Sequence, residues 1–158
     1  MYERILVPLD GSDVAKAIIP DVEDLVLKMA PVTRVEVVLL QVVSTITFNV
    51  LTDDVRAQIP YTESEMQFIT HKVKEYLEKV AAPMREKNIE VTTIVSAGHA
   101  AEEIIKAVGE TNADLIAMST HGRSGLSLWA LGSITDKVLR ESTIPVLTIR
   151  AKHHKHVS

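Results

Sequence analysis

A chain of 158 residues, 46% hydrophobic and 24% charged, amounts to one domain with a single sizeable core. Its formal net charge of -4 gives no electrostatic reason to expect nucleic acid or an anionic membrane as partner, and the absence of cysteine excludes disulfides, thiolate metal sites and cysteine nucleophiles. Aromatic residues make up only 4%, so the core is aliphatic, a composition that suits helices packed on a parallel sheet.

Arg4 to Asp10 is a short apolar run closed by the turn signal Asp10-Gly11-Ser12, the pattern of a buried strand. A strand starting this early leaves no room for a signal peptide, and no apolar run approaches the roughly 20 residues needed to span a bilayer, so a cytoplasmic protein is expected. Ser12 or Asp13 caps the helix that follows, whose apolar positions Ala15, Ile18, Val22, Leu25, Val26 and Met29 recur every three or four residues. Pro20 lies inside that pattern and removes a backbone donor, which predicts a kink or a late start.

Val35 to Val43 is nearly unbroken valine and leucine, a strand buried on both faces. The polar stretch from Ser44 to Tyr61 is long for a structureless loop, which leaves a mobile flap or a short helix as its reading. Thr62-x-x-Glu65 forms a capping box for a long helix with the stripe Met66, Ile69, Val73, Leu77, Val80 and Met84. Ile89 to Ser96 alternates apolar and polar residues, as an exposed edge strand does. Gly98 turns into a helix from about Ala100 to Asn112, with Glu102 and Glu103 favourable in its first turn. Leu115 to Met118 is again wholly apolar; a helix from about Ser133 to Glu141 and a last strand, Val146 to Arg150, complete the domain (residues 1–151). Residues 152–158, with His153, His154 and His156, form a flexible basic tail able at most to bind a transition metal weakly.

Four strand–helix units and a fifth strand specify an α/β fold of three layers, a parallel sheet with helices on both faces. Strands one, two and four are continuously apolar and therefore interior; three alternates and five is short and last, hence edges. With right-handed crossovers the order is 3-2-1-4-5, which places a topological switch point between strands one and four, outside their carboxyl ends. Asp10 leaves one of those ends, and Ser119-Thr120-His121-Gly122 leaves the other.

Between Gly122 and Gly132 lie nine residues, and Ser133 opens a helix. Glycine-freed N–H groups, a helix N-terminus and the nearby Arg123 suit a phosphate. The alternative is structural: Gly122 turns the chain, and Ser133 caps the helix with Asp136 in a Ser-x-x-Asp box. No Gly-Lys-Ser/Thr and no Gly-x-Gly-x-x-Gly after the first strand is present, which argues against a P-loop or a dinucleotide fingerprint. His121 has no sequence partner to orient it as a base, and Trp129 fits a packing role better than base stacking.

Three segments, Val7-Pro8-Leu9-Asp10-Gly11-Ser12, the run from Ala113 to Leu126, and Leu131-Gly132-Ser133 through Leu147, together resemble the universal stress protein family in order and spacing. The resemblance implies a Rossmann-like fold of the adenine nucleotide alpha hydrolase type, and a nucleotide motif of Gly-x-x-Gly, nine residues, then Gly-Ser or Gly-Thr. Here the first glycine of that motif is Ser119. It further implies that Asp10 accepts hydrogen bonds from ribose hydroxyls, that the Val42 backbone reads the adenine edge, and that Pro8 lines the base pocket. Met118, Ser119 and His121 border the ligand, and Gly122, Arg123, Ser124, Gly125, Gly132, Ser133, Ile134 and Thr135 surround the phosphates. The expected ligand is ATP or AMP, with Mg²⁺ held through the phosphates, and the expected assembly a homodimer through the last strand. The implied role is that of a stress-response sensor or regulator; a nucleotide-free homodimeric interaction module and a slow ATP hydrolase are the alternatives.

Overall fold

The computed structural model describes residues 1–44, 48–52, 55–59, 61–121 and 132–151. Five strands form one parallel sheet: β1 (Arg4–Leu9), β2 (Glu36–Val43), β5 (Glu90–Ala97), β6 (Leu115–His121) and β7 (Val146–Ala151). Their order is β5-β2-β1-β6-β7, the expected 3-2-1-4-5 with the strands outside a separate hairpin counted in sequence. That hairpin, β3 (Phe48–Thr52) with β4 (Val55–Ile59), is antiparallel and occupies the stretch for which a flap or a short helix was expected. Val55-Arg56-Ala57-Gln58-Ile59 carries the period-two pattern of a strand, and Thr52 pairs with Val55 across two intervening residues. The polar composition of the stretch as a whole hides this alternation.

Strand alternation divides the interior in two. Ile5, Val7 and Leu9 of β1, with Val37 and Leu39 of β2, face α2 (Ile19–Met29) and α3 (Glu63–Glu86), where Val22, Val26, Leu77, Ala81 and Met84 meet them. Leu6, Val38 and Leu40 face the other way, against Ala101, Ile104 and Ala107 of α4 (Ala100–Thr111) and Val138 of α5 (Ser133–Glu141). The middles of β1 and β2, Ile5–Leu9 and Val37–Leu40, are therefore apolar on both sides because each face meets a helix layer. The alternating β5 and the last strand β7 are the edges, as their patterns predict.

The first helical stretch is broken in two. α1 (Asp13–Lys16) is capped by Ser12, whose hydroxyl accepts from the Ala15 N–H, and it ends at Ala17. Pro20 then sits in the first turn of α2, where its missing N–H leaves no helical bond unmade. The Thr62 capping box of α3 forms as expected, with Glu65 N–H to Thr62 Oγ1 at 3.2 Å and Thr62 N–H to Glu65 Oε2 at 2.8 Å.

A polar clamp closes the sheet at the amino ends of its strands. Glu36 accepts from Arg4 Nε at 2.7 Å and from Thr92 Oγ1 at 2.7 Å, joining β1, β2 and β5. Asp114 accepts from the backbone N–H groups of Glu3 and Arg4 at 2.8 and 3.0 Å.

Candidate functional site

β1 pairs with β2 along its whole length but with β6 only through Ile5–Leu115 and Leu6–Ile116. Beyond those pairs the two central strands part, and Pro8 has no N–H with which to continue a ladder. β6 meanwhile stays paired with β7 as far as His121–Ala151. The seam opens into a cleft outside the carboxyl ends of the strands, the position where open α/β sheets bind ligands. Among the described residues it has a cavity volume of about 90 Å³, and its walls include Pro8, Asp10, Val42, Met118, Ser119 and Ile134.

Asp10 is the one charged residue among these lining residues, and it is held in place. Its Oδ1 accepts from the Ser12 N–H at 2.9 Å and from Ser12 Oγ at 2.6 Å, a turn that requires Gly11 at φ +84°. Its second carboxylate oxygen makes no hydrogen bond among the described residues. Ser119, on β6, turns its hydroxyl toward α1: it donates to the carbonyls of Val14 and, at 3.1 Å, of Ala15. The serine at the first motif position thus directs its polar atom to the scaffold.

At the far side of the cleft α5 begins. Gly132 is its N-cap, at φ 86° and ψ 147°, and makes no side-chain capping bond. Ser133 is already the first helical residue, so the Ser133–Asp136 capping box is not formed; the Asp136 N–H instead bonds the Gly132 carbonyl at 2.9 Å. A glycine cap has no side chain to occupy the first-turn N–H groups, and those are the groups that favour an anion. Ile134 is 45% exposed beside the cleft and Thr135 is buried. α4 also starts at the cleft, with Ala100 and Ile104 in its wall, and its N-cap His99 makes no side-chain capping bond. Lys137 of α5 donates to Glu102 of α4 at 3.0 Å, tying the two helices together. The hydrogen bond from Lys137, then its charge, holds the Glu102 carboxyl below the usual range, and Glu102 correspondingly raises Lys137.

Six of the expected site residues, Pro8, Asp10, Val42, Met118, Ser119 and Ile134, therefore line one cleft, and Gly132, Ser133 and Thr135 belong to the same helix start. The backbone of His121 closes β6. Gly122, Arg123, Ser124, Gly125, Trp129 and the histidines of the tail lie outside the described residues. The sequence reading missed Leu9, Leu40, Ala15, Ala100 and Ile104. Ala15 and Ala100 belong to the first turns of α1 and α4, and Ile104 follows one turn later on α4; the rule that the helix starts sit over the carboxyl ends of the strands would have found them.

Behind the Asp10 turn, on the α3 face, Tyr76 Oη and Gln41 Oε1 are buried with no hydrogen-bond partner among the described residues. Burial pushes the Tyr76 phenol up, and the Asp10 and Asp13 carboxylates push it further. The cleft itself combines apolar walls for a flat group, a carboxylate that can accept from hydroxyls, and a helix start that favours an anion.

Comparison with known proteins gives the same picture. The Universal stress protein family profile matches residues 1–150. The universal stress protein YxiE of Bacillus subtilis is 31% identical over 95% of this chain and 100% of its own length. Universal stress protein MJ0577 of Methanocaldococcus jannaschii is 28% identical over 97% of this chain and 98% of its own. The solved structure of MJ0577 superposes with a TM-score of 0.70 at 26% identity, covering 97% of this chain and 99% of that one. Two more distant structures share the fold: a universal stress protein in complex with cAMP (TM-score 0.65, 15% identity, 94% and 97% covered) and an Arabidopsis thaliana family member with AMP bound (0.61, 11%, 97% and 94%). With its switch-point cleft, its strand order and a profile match from end to end of the domain, the chain belongs to the universal stress protein family.

Proposed function

We propose that the chain binds an adenine nucleotide, ATP or AMP, in the cleft between β1 and β6 and acts as a regulator in a cytoplasmic stress response. One observation carries this reading: the seam between β1 and β6 opens into a cleft whose wall joins Asp10, Met118 and Ser119 to Ile134, in the first turn of the helix α5 that Gly132 caps without a side chain. Family members with AMP and with cAMP bound support the ligand class. Val42, Pro8 and Met118 would hold the base between apolar walls, Asp10 would accept from the ribose hydroxyls, and the Gly132–Thr135 start of α5 would take the phosphates. Gly122, Arg123, Ser124 and Gly125 complete the phosphate side in this reading, and Mg²⁺ would arrive on the phosphates with water as its main ligand.

The test is a thermal-shift titration with ATP and Mg²⁺ alongside chromatography of any nucleotide released on denaturation. A ligand held at 100 times its Kd stabilises the folded state by about 2.7 kcal/mol. No shift at millimolar nucleotide together with no released nucleotide overturns the reading. Timed product analysis in the same samples separates a binder from a slow hydrolase.

A second element of the proposal is a homodimer through β7. Among the described residues no strand covers the outer edge of β7, and Val146, Leu147 and Ile149 are half-buried there. Pairing such an edge across a two-fold axis removes an aggregation hazard. Sedimentation of the full chain at micromolar concentration should give a dimer; a monomer at every concentration would discard this element and leave the nucleotide site standing.

A further inference from the structure

α1 is four residues long and none of them is fully buried; Ala15 alone among its four residues packs against the core, from its edge, so packing holds it only lightly. Hydrogen bonds fix it. Ser119 Oγ donates to the carbonyls of Val14 and Ala15; the Ala15 N–H donates to Ser12 Oγ at 3.0 Å; Ser12 Oγ and the Ser12 N–H both donate to Asp10 Oδ1, at 2.6 and 2.9 Å. This chain starts on β6, crosses α1 and ends on the carboxylate that leaves β1. It therefore bridges, through a piece of helix, the two strands whose direct pairing stops at Leu6–Ile116.

We propose that Ser119 is a positioning residue for Asp10: by anchoring the carbonyls of α1 it sets the place of the Asp10 carboxylate at the cleft, and with it the selection of ligands that carry free sugar hydroxyls. The proposal rests on the adenine-nucleotide reading of the cleft. A glycine at position 119 would leave α1 without this tie to β6; threonine keeps a hydroxyl on the same carbon.

The test compares wild type, Ser119→Ala, Ser119→Thr, Asp10→Asn and the Ser119→Ala/Asp10→Asn double variant, using calorimetric affinities for ATP and for 2′,3′-dideoxy-ATP. Loss of one positioned hydrogen bond to a charged group corresponds to about tenfold in affinity. Ser119→Ala should weaken ATP by about that factor, leave the dideoxy analogue unchanged, and add nothing to Asp10→Asn in the double variant. Ser119→Thr should restore most of the loss. Equal losses for both ligands, or additive losses in the double variant, overturn the role of Ser119 while leaving the nucleotide reading intact. Should wild type bind neither ligand, that reading fails, and amide hydrogen exchange still decides the positioning. Exchange at Ser12 and Ala15, the two backbone donors of the chain, should quicken in Ser119→Ala and slow again in Ser119→Thr. Unchanged exchange at both overturns the proposal with no ligand present.

Discussion

Gly132 shows how much a single backbone conformation decides. At φ 86° and ψ 147° it lies in a region that only glycine occupies without strain, yet a Cβ built there would meet no atom within 4 Å. A substitution is therefore opposed by the backbone and not by crowding. Gly132→Ala should lower stability by about 1–3 kcal/mol and re-angle the first-turn N–H groups of α5. Thermal melts with and without ATP check both parts: the variant should melt lower and lose most of the nucleotide shift. A melt like that of wild type would mean that another conformation serves equally well. The importance of Gly132 was legible in the sequence, because a Gly-Ser pair before a helical pattern marks a start. What the pattern left open was whether Ser133 caps. Glycine and serine are both good N-caps, and only the backbone angles show that the glycine took the position and left the serine inside the helix. The hydroxyl of Ser119 was equally open, since its partners, Val14 and Ala15, lie more than a hundred residues away in sequence.

Elements meet under different constraints at the two ends of the sheet. At the amino ends Glu36 joins three strands, and its carboxyl is held below the usual range, chiefly by the hydrogen bond from Thr92 and then by Arg4, against the opposing effect of burial. A carboxylate depressed in the folded state adds stability that is complete above its unfolded pKa, about 4.3, and is lost as pH falls through the lower folded value. Glu36→Gln should thus be less stable than wild type at neutral pH, with the gap closing on acidification below about pH 4. Urea unfolding midpoints across that range measure the gap; a constant gap would show that the contribution of Glu36 is not its charge. The strands and helices involved were legible from periodicity, and α2, α3, α4 and α5 fall where the apolar spacing puts them. The β3–β4 hairpin was not. Its five-residue strands are too short and too polar in context for alternation to stand out, and nothing in one sequence announces a separate two-stranded sheet. The break between α1 and α2 was half-legible: Pro20 marks it, but choosing between a kink and a second helix start depends on the turn before it.

Across the whole molecule the order of the strands followed from which of them are apolar on both faces, and the cleft followed from the order. The same division has a practical result. Among the described residues the cleft draws Leu40, Val42, Ile104 and Met118 from the interior that α4 and α5 cover, and reaches the other interior through Leu9 and Ala15 alone. Leu77, deep beneath α3, belongs to that other interior. Leu77→Ala should cost about 2–5 kcal/mol in chemical unfolding yet leave nucleotide affinity as it was, whereas Ile104→Val, a far milder change for stability, should alter affinity. A parallel shift of both properties in both variants would contradict this partition. A two-sided sheet of this kind gives the protein separate reserves: the half beneath α3 can be redesigned for thermal robustness without touching most of the walls of the cleft.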